Sequence, residues 1–151
     1  MRKIFFFFSF LFIGCFFASA QSVFGKWKTF DVFNKTKEEA IVEIYELNNS
    51  LHVKIIEIIP KEHREDICVK CDDENKNKPI LGLVILKGAT LKNGIWQGAK
   101  ILNAKNGFRY GCHISLKDDN LLKIRGFIGY PFFGKTVYWK KAEEDLITSE
   151  K

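Results

Sequence analysis

The stretch FRYGCHISLKDDNLLKIRGFIG, residues 108–129, decides the fold. Apolar and polar side chains alternate along it twice, at 108–117 and again at 121–128, with an acidic and amide-rich segment at 118–120 between them. A period of two places successive side chains on opposite faces of a strand, and Asp and Asn are typical of tight turns. The stretch therefore predicts two antiparallel strands, each with one buried face and one face in water.

The same signals extend outward in both directions. Asn-Gly pairs at 93–94 and 106–107 are specific hairpin signals, because both turn residues must tolerate positive φ. Between the turn signals lie short runs rich in Val, Ile, Tyr, Phe and Trp, and none of these runs keeps the 3.6-residue apolar period of a helix. Eight strands are therefore predicted, at 23–32, 40–47, 51–60, 80–88, 94–102, 108–117, 121–129 and 135–141.

Eight sequential strands with short connections predict an all-β fold with little helix. We expect a single antiparallel, up-and-down eight-stranded β-barrel, because closing the sheet removes its exposed edges. A β-sandwich is the alternative architecture. The interior of an eight-stranded barrel is either filled by side chains or holds one small ligand.

Residues 1–20 are predicted to be a cleavable signal peptide rather than part of the fold. Arg2 and Lys3 precede an apolar run at 4–17, and Ala-Ser-Ala at 18–20 supplies the small residues needed for cleavage. The run is shorter than the ~20 residues that span a bilayer, so no stable membrane insertion is expected after cleavage. Export predicts a periplasmic or extracellular protein, and lipid attachment at Cys15 is a minor alternative.

The barrel is predicted to occupy residues 21–141, followed by a polar C-terminal tail at 142–151. Loss of the signal peptide lowers the formal net charge from +6 to +4. The lysines are scattered along the chain, and this modest excess argues against a nucleic-acid partner.

Three cysteines remain after export: Cys68, Cys71 and Cys112. Cys68 and Cys71 lie in a polar loop at 61–78, and an oxidising compartment favours a disulfide between them. A redox pair and a zinc site that includes His63 are the alternatives. Cys112 is expected to point inward as a buried thiol.

No catalytic residue and no cofactor are predicted. Cys112 and His113 resemble a nucleophile with its base, but neighbours on a strand project to opposite faces. The sequence contains no G-x-S-x-G motif and no evident Ser-His-Asp order.

Blocks of sequence at 25–28, 68–71, 78–85, 98–102, 106–107, 122–129 and 133–136, together with Trp139, span most of residues 24–140. In this order they resemble a secreted bacterial family known as domain of unknown function 2147, a calycin-like or lipocalin-like barrel. The resemblance implies an exported β-barrel without an established activity. Asn103-Ala104 stands where the family often has Asp-Pro, so no role of that carboxylate is carried over.

The opening Gly25-x-Trp27 is also similar to that of lipocalins, in which a first-strand Trp closes one barrel end beneath a late basic residue. This resemblance implies that Lys140 or Lys141 covers Trp27.

A non-enzymatic binding module is the leading hypothesis, with a small apolar or amphipathic ligand or an envelope partner. An enzyme, or a thiol-redox or metal-binding factor centred on the Cys68–Cys71 loop, is the alternative, and a solid barrel with a filled core is also open. The predicted ligand-binding residues are those expected inside the barrel or at its mouth: Trp27, Phe108, Tyr110, Ile124, Tyr130, Phe132 and Tyr138.

Overall fold

The computed structural model describes residues 22–142, and their eight strands run up and down in chain order and close into an antiparallel barrel. The strands are β1 Gly25–Phe30, β2 Glu38–Leu47, β3 Ser50–Ile58, β4 Val84–Lys92, β5 Ile95–Leu102, β6 Arg109–Asp118, β7 Leu121–Phe127 and β8 Lys135–Lys141. Closure comes from the pairing of β1 with β8, in which Trp27 faces Lys141. The predicted all-β barrel is confirmed, and a sandwich is excluded because the sheet closes.

Two single 3₁₀ turns, Lys61–His63 and Pro131–Phe133, are the helical segments of the described chain. The predicted signal peptide at 1–20 lies outside the described residues, as does the predicted tail apart from Ala142.

Asparagine and glycine make two of the hairpins as tight as the sequence predicts. Asn48 and Asn49 join β2 to β3 with φ values of 52° and 58°, and Asn93 and Gly94 join β4 to β5 with 51° and 76°. Positive φ at both positions is the type I′ geometry that matches the twist of paired strands. The pair at 106–107 is different, because it lies within a longer connection between β5 and β6.

Strand β4 lies four residues beyond its predicted position of 80–88. Gly88, which marked the expected end of the strand, instead has φ of 81° within it, where the pairing of β3 with β4 shifts register. Residues 80–83 belong to the preceding loop, and there the N–H of Ile80 donates to the carbonyl of Asp66. A bulge of this kind uses the freedom of glycine without ending the strand.

Burial along β6 follows the predicted alternation and deepens from its start toward the centre of the barrel. Phe108, just before the strand, is 63% exposed and Tyr110 is half-buried, whereas Cys112 and Ile114 are at most 1% exposed. His113 lies on the opposite, outer face, where it contacts Phe127. The expectations of an inward Cys112 and of separate faces for Cys112 and His113 are both confirmed.

Side chains fill the centre of the barrel. The largest fully buried ones are Trp27, Ile44, Leu51, Leu86, Ile114 and Leu122. Each contributes roughly 2 kcal/mol of burial free energy, so this interior is the main source of stability.

The two ends of the barrel are built differently. The turn end carries residues 22–24, the tight turns at 48–49, 93–94 and 119–120, and the end of β8. The loop end carries the connections 31–37, 59–83, 103–108 and 128–134.

Candidate functional site

The turn end is closed around Trp27. The indole Nε1 donates to the carbonyl of Val23 at 2.8 Å, and the Nζ of Lys141 lies 4.5 Å from the ring centroid of Trp27. The same Nζ donates to the carbonyl of Phe24 at 3.2 Å. Of the two lysines that the lipocalin resemblance implied, Lys141 therefore covers Trp27, whereas Lys140 lies over Phe30.

A surface depression of about 420 Å³ also lies at the turn end. It is lined by Asp118, Asn120, Leu121, Lys140 and Lys141. The depression is open to solvent rather than enclosed, so it does not have the shape that buries most of a small ligand.

The loop end is covered in part by the connection 59–83, here called the lid loop. Cys68 and Cys71 form a disulfide with Cα atoms 5.4 Å apart, and both residues are buried. The Sγ of Cys68 lies 3.4 Å from the carbonyl oxygen of Ala104. The predicted disulfide is present, and it lies on the buried side of the lid loop instead of facing solvent.

Gly107 allows the lid loop to approach the β5–β6 connection closely. Its φ is 77°, and a Cβ built on it overlaps the carbonyl oxygen of Lys70. Both the backbone conformation and the space therefore require glycine at this position.

Ion pairs fasten the lid loop to the strands. Arg109 on β6 pairs with Asp73, and Lys87 on β4 pairs with Glu74 at 3.1 Å. The hydrogen bond from Arg109 holds the pKa of Asp73 below its ordinary value, and that from Lys87 does the same for the pKa of Glu74.

The three cysteines among residues 22–142 are buried. Because the sulfurs of Cys68 and Cys71 are bonded to each other and buried, they present no thiolate to a metal ion or a redox partner. Cys112 is free and buried, and burial raises its pKa to about 12. His63 accepts or donates a hydrogen bond at 2.9 Å to the exposed carboxylate of Asp66.

Exposed aromatic and apolar side chains gather on the rest of the loop end. Of the twelve large apolar residues that are exposed among residues 22–142, nine lie on the loop-end connections. Six of these nine lie outside the lid loop, are between 63% and 90% exposed, and are here called the apolar rim: Phe33, Phe108, Ile128, Tyr130, Phe132 and Phe133.

Arg125 holds the β7–β8 part of the apolar rim in place. Its guanidinium donates to the carbonyls of Pro131 at 2.7 Å and Phe132 at 3.0 Å, and to the Oγ1 of Thr136 at 2.9 Å. Gly134 packs so closely on β7 that a Cβ there would lie 2.6 Å from the carbonyl oxygen of Gly126. The connection is thus fixed by its backbone while its rings face outward.

Three exposed lysines lie beside the apolar rim. Lys35, Lys37 and Lys135 are exposed, and the Nζ of Lys135 lies 4.1 Å from the ring centroid of Phe33. Asp31, in the connection 31–37, accepts hydrogen bonds from the N–H groups of Phe33 and Asn34, at 2.8 Å each.

The hydrogen bonds from Asn34 and Phe33 lower the pKa of Asp31 to about 2, and the nearby charge of Lys105 contributes a smaller part. The carboxylate is therefore ionised and already engaged within the molecule at neutral pH.

The seven predicted ligand-binding residues occupy three different environments. Phe108, Tyr130 and Phe132 lie on the apolar rim, and Tyr110 lies just below it, where its Oη accepts a hydrogen bond from Asn106 at 3.0 Å. Trp27 and Ile124 pack in the core, at 0% and 3% exposure.

Tyr138 lies on the outer face of β8, with the Nζ of Lys117 at 4.9 Å from its ring centroid. Strand alternation could have indicated this, because Val137 and Trp139 on either side face inward. Phe33 and Arg125 were missed at the sequence level. A lone aromatic within the polar segment 31–37 was the available signal for Phe33, whereas Arg125 showed none.

The closed eight-stranded barrel with a Trp-sealed end defines a lipocalin-type fold. It matches the structure titled "Protein HP1028 from the human pathogen Helicobacter pylori belongs to the lipocalin family", with a TM-score of 0.70 and 19% sequence identity. The match covers 82% of this chain and 84% of that chain.

Residues 25–141 match the family described as "Uncharacterized protein conserved in bacteria (DUF2147)", and the chain belongs to this family. The family resemblance found in the sequence is therefore confirmed. No curated protein matches the chain. Among residues 22–142, no helix is both long and apolar enough to cross a membrane.

Proposed function

We propose that the protein is an exported, non-enzymatic binding module that takes an apolar or amphipathic molecule at its apolar rim. The observation that carries this proposal is that, of the twelve exposed large apolar residues among residues 22–142, nine lie at one end of the barrel. Soluble proteins rarely leave grouped apolar side chains in water unless the group binds something.

The filled interior favours the rim over a deep ligand cavity. Trp27 and Ile124, which the sequence suggested as interior contacts, are packed among other core side chains and have almost no free surface. A ligand inside the barrel would have to displace such side chains, at a cost of several kcal/mol. Phe108, Tyr130 and Phe132 remain as proposed contacts, and Phe33 and Phe133 join them.

Export is part of the proposal. A disulfide persists in oxidising compartments, and the Cys68–Cys71 bond is consistent with a location outside the cytoplasm. The signal peptide predicted at 1–20 supplies the route. The alternative of a thiol-redox or metal-binding factor requires an accessible thiolate, whereas the three cysteines at 22–142 are bonded or buried.

A monomeric amphiphile tests the proposal. Fluorescent dodecanoic acid, kept below its micelle concentration, is titrated into the purified protein and into the Phe132→Ser/Phe133→Ser variant. We expect saturable binding by the protein and at least a tenfold loss in the variant, since two aromatic contacts are removed.

Leu91→Ser is the matched control, because Leu91 is an exposed apolar residue at the turn end. It should bind the probe as the unmodified protein does. Equal binding by the aromatic variant and the control would reject the apolar rim as the site.

A further inference from the structure

We infer that the molecule bound by the apolar rim is a lipid in a bilayer, and that the rim docks on an anionic membrane surface. This inference rests on the proposed function of the rim and names its partner. It is carried by the shape of the rim, by its charge and by the fixed conformation of the β7–β8 connection.

The shape of the rim suits a surface that deforms around it. The rings project from three separate connections, and each of the six rim residues is at least 63% exposed. The depression described above lies at the turn end and includes none of the six. Separate aromatic tips can each enter the headgroup region of a bilayer, where amphipathic rings such as that of Tyr130 are favoured.

The charge next to the rings points to anionic lipid. The connections 31–37 and 128–134, together with Glu38, Glu39 and Lys135 at the starts of the strands that follow them, contain three lysines and three acids. All three acids are engaged within the molecule: Asp31 by backbone N–H groups and Lys105, Glu38 by Lys28, and Glu39 by Lys105. Within residues 22–142, the exposed Lys35, Lys37 and Lys135 form no salt bridge, so their charge is available to lipid phosphates.

The position of the lid loop sets an orientation. Its six acidic and five basic residues nearly balance, and two of the acids are paired with Arg109 and Lys87, so its charge gives an anionic surface little to attract. It packs on the β5–β6 connection and on β4 and β6, whereas Phe33 and Phe132 lie on connections next to the β8–β1 seam. The barrel should therefore tilt so that the β8–β1 side meets the membrane.

Arg125 reduces the conformational entropy that the β7–β8 connection loses on docking. Its hydrogen bonds to Pro131, Phe132 and Thr136 fix the connection before any lipid is present. A segment that is already ordered loses less freedom on binding than a mobile one.

Vesicle flotation tests the inference with purified protein. We expect binding to vesicles of phosphatidylglycerol and phosphatidylcholine to exceed binding to pure phosphatidylcholine by about tenfold, and to weaken with salt. Phe132→Ser/Phe133→Ser should lose binding to both. The triple variant Lys35→Gln/Lys37→Gln/Lys135→Gln should lose only the preference for phosphatidylglycerol.

Two controls at the turn end are Leu91→Ser and Lys92→Gln, which change exposed residues and should leave vesicle binding unchanged. As a second readout, the emission of Phe133→Trp should shift to shorter wavelength on phosphatidylglycerol vesicles. This substitution keeps an aromatic ring and tests insertion directly.

The outcomes separate this inference from the proposed function. Binding of monomeric dodecanoic acid without binding of vesicles would overturn the membrane inference and leave the binding module standing. Loss of both would overturn both. Analytical ultracentrifugation supplies a third outcome. If the protein is a dimer, the Phe132→Ser/Phe133→Ser variant is a monomer, and neither binds vesicles, then the rim binds a second copy of the chain and the inference is overturned.

Discussion

The lid loop at 59–83 and the β7–β8 connection at 128–134 lie at the same end of the barrel but differ in whether their apolar side chains are buried or exposed. The lid loop carries eleven Asp, Glu, Lys and Arg residues outside and buries Cys68, Cys71 and Leu83. The β7–β8 connection carries none of these four residue types and leaves Tyr130 and Phe132 in water.

Length explains part of this difference. Closing a loop of 25 residues costs more conformational entropy than closing one of seven, so the longer loop needs a buried anchor of its own. The short connection is held by the hydrogen bonds of Arg125 and needs no buried ring. Its rings are therefore available for binding.

The largest expected effect breaks the packing of the lid loop. Gly107→Ala places a Cβ on the carbonyl of Lys70 and strains a residue with φ of 77°, so we expect a loss of ~3 kcal/mol or more in the free energy of unfolding. Gly129→Ala is the matched control, because its φ is 75° but its Cβ meets nothing within 4 Å. Its cost should be about 1 kcal/mol.

Urea unfolding measures both glycine variants. Equal costs would show that backbone strain alone matters and that the approach of Lys70 to Gly107 does not.

The second effect removes the anchor of the lid loop. Cys68→Ala/Cys71→Ala should lower the free energy of unfolding by about 2 kcal/mol, because the small disulfide ring no longer limits the unfolded chain. Limited proteolysis should then cut within 61–78 and leave 128–134 intact. Cys112→Ala, which removes a buried sulfur without touching the lid loop, should not cause this cleavage.

The third effect loosens the other connection. Arg125→Ala removes the donors to Pro131, Phe132 and Thr136 and should cost about 1.5 kcal/mol. Lys123→Ala, an exposed residue on the same face of β7, should change stability by less than about 0.5 kcal/mol. Thermal unfolding of both variants checks this, and identical melting temperatures would mean that Arg125 does not order the connection.

The smallest effect concerns pH. The pKa of Asp31 is about 2 in the folded protein against an ordinary 3.8. The ionised carboxylate therefore makes its full contribution to stability when the pH is above the ordinary pKa of 3.8. This contribution is lost as the pH falls through the folded-state pKa of about 2. The stability difference from Asp31→Asn, measured by urea unfolding, should be constant above pH 5 and shrink below pH 4 (both roughly). A constant difference down to pH 2 would contradict the assignment.

Much of the fold was predictable because its causes are local. Alternation along 108–128 reports which side of a strand is buried, and the Asn-Gly pair at 93–94 reports a tight hairpin. The Cys68–Cys71 bond was also predictable, since the two residues are three apart. The position of β4 was not, because glycine in a bulge and glycine at a strand end look alike in a sequence.

The candidate site was only partly predictable. Phe108 was expected inside the barrel from the alternation along 108–117, but it lies before the strand and is 63% exposed. Tyr130, Phe132 and Tyr138 were expected at the mouth because residues 127–139 are rich in aromatics, and Tyr138 lies on the outer face of β8 beside Lys117. Phe33 lies about a hundred residues from Phe132 in the chain. Only the pairing of β1 with β8 brings their connections together.

The sequence by itself determined seven of the eight strands, most of the turns, the disulfide and the family, because each depends on neighbouring residues or on an ordered set of short motifs. The tertiary structure decided which aromatic residues fill the core and which form the apolar rim. That choice depends on where the barrel closes and which connection covers its end, and both follow from contacts between residues far apart in the chain.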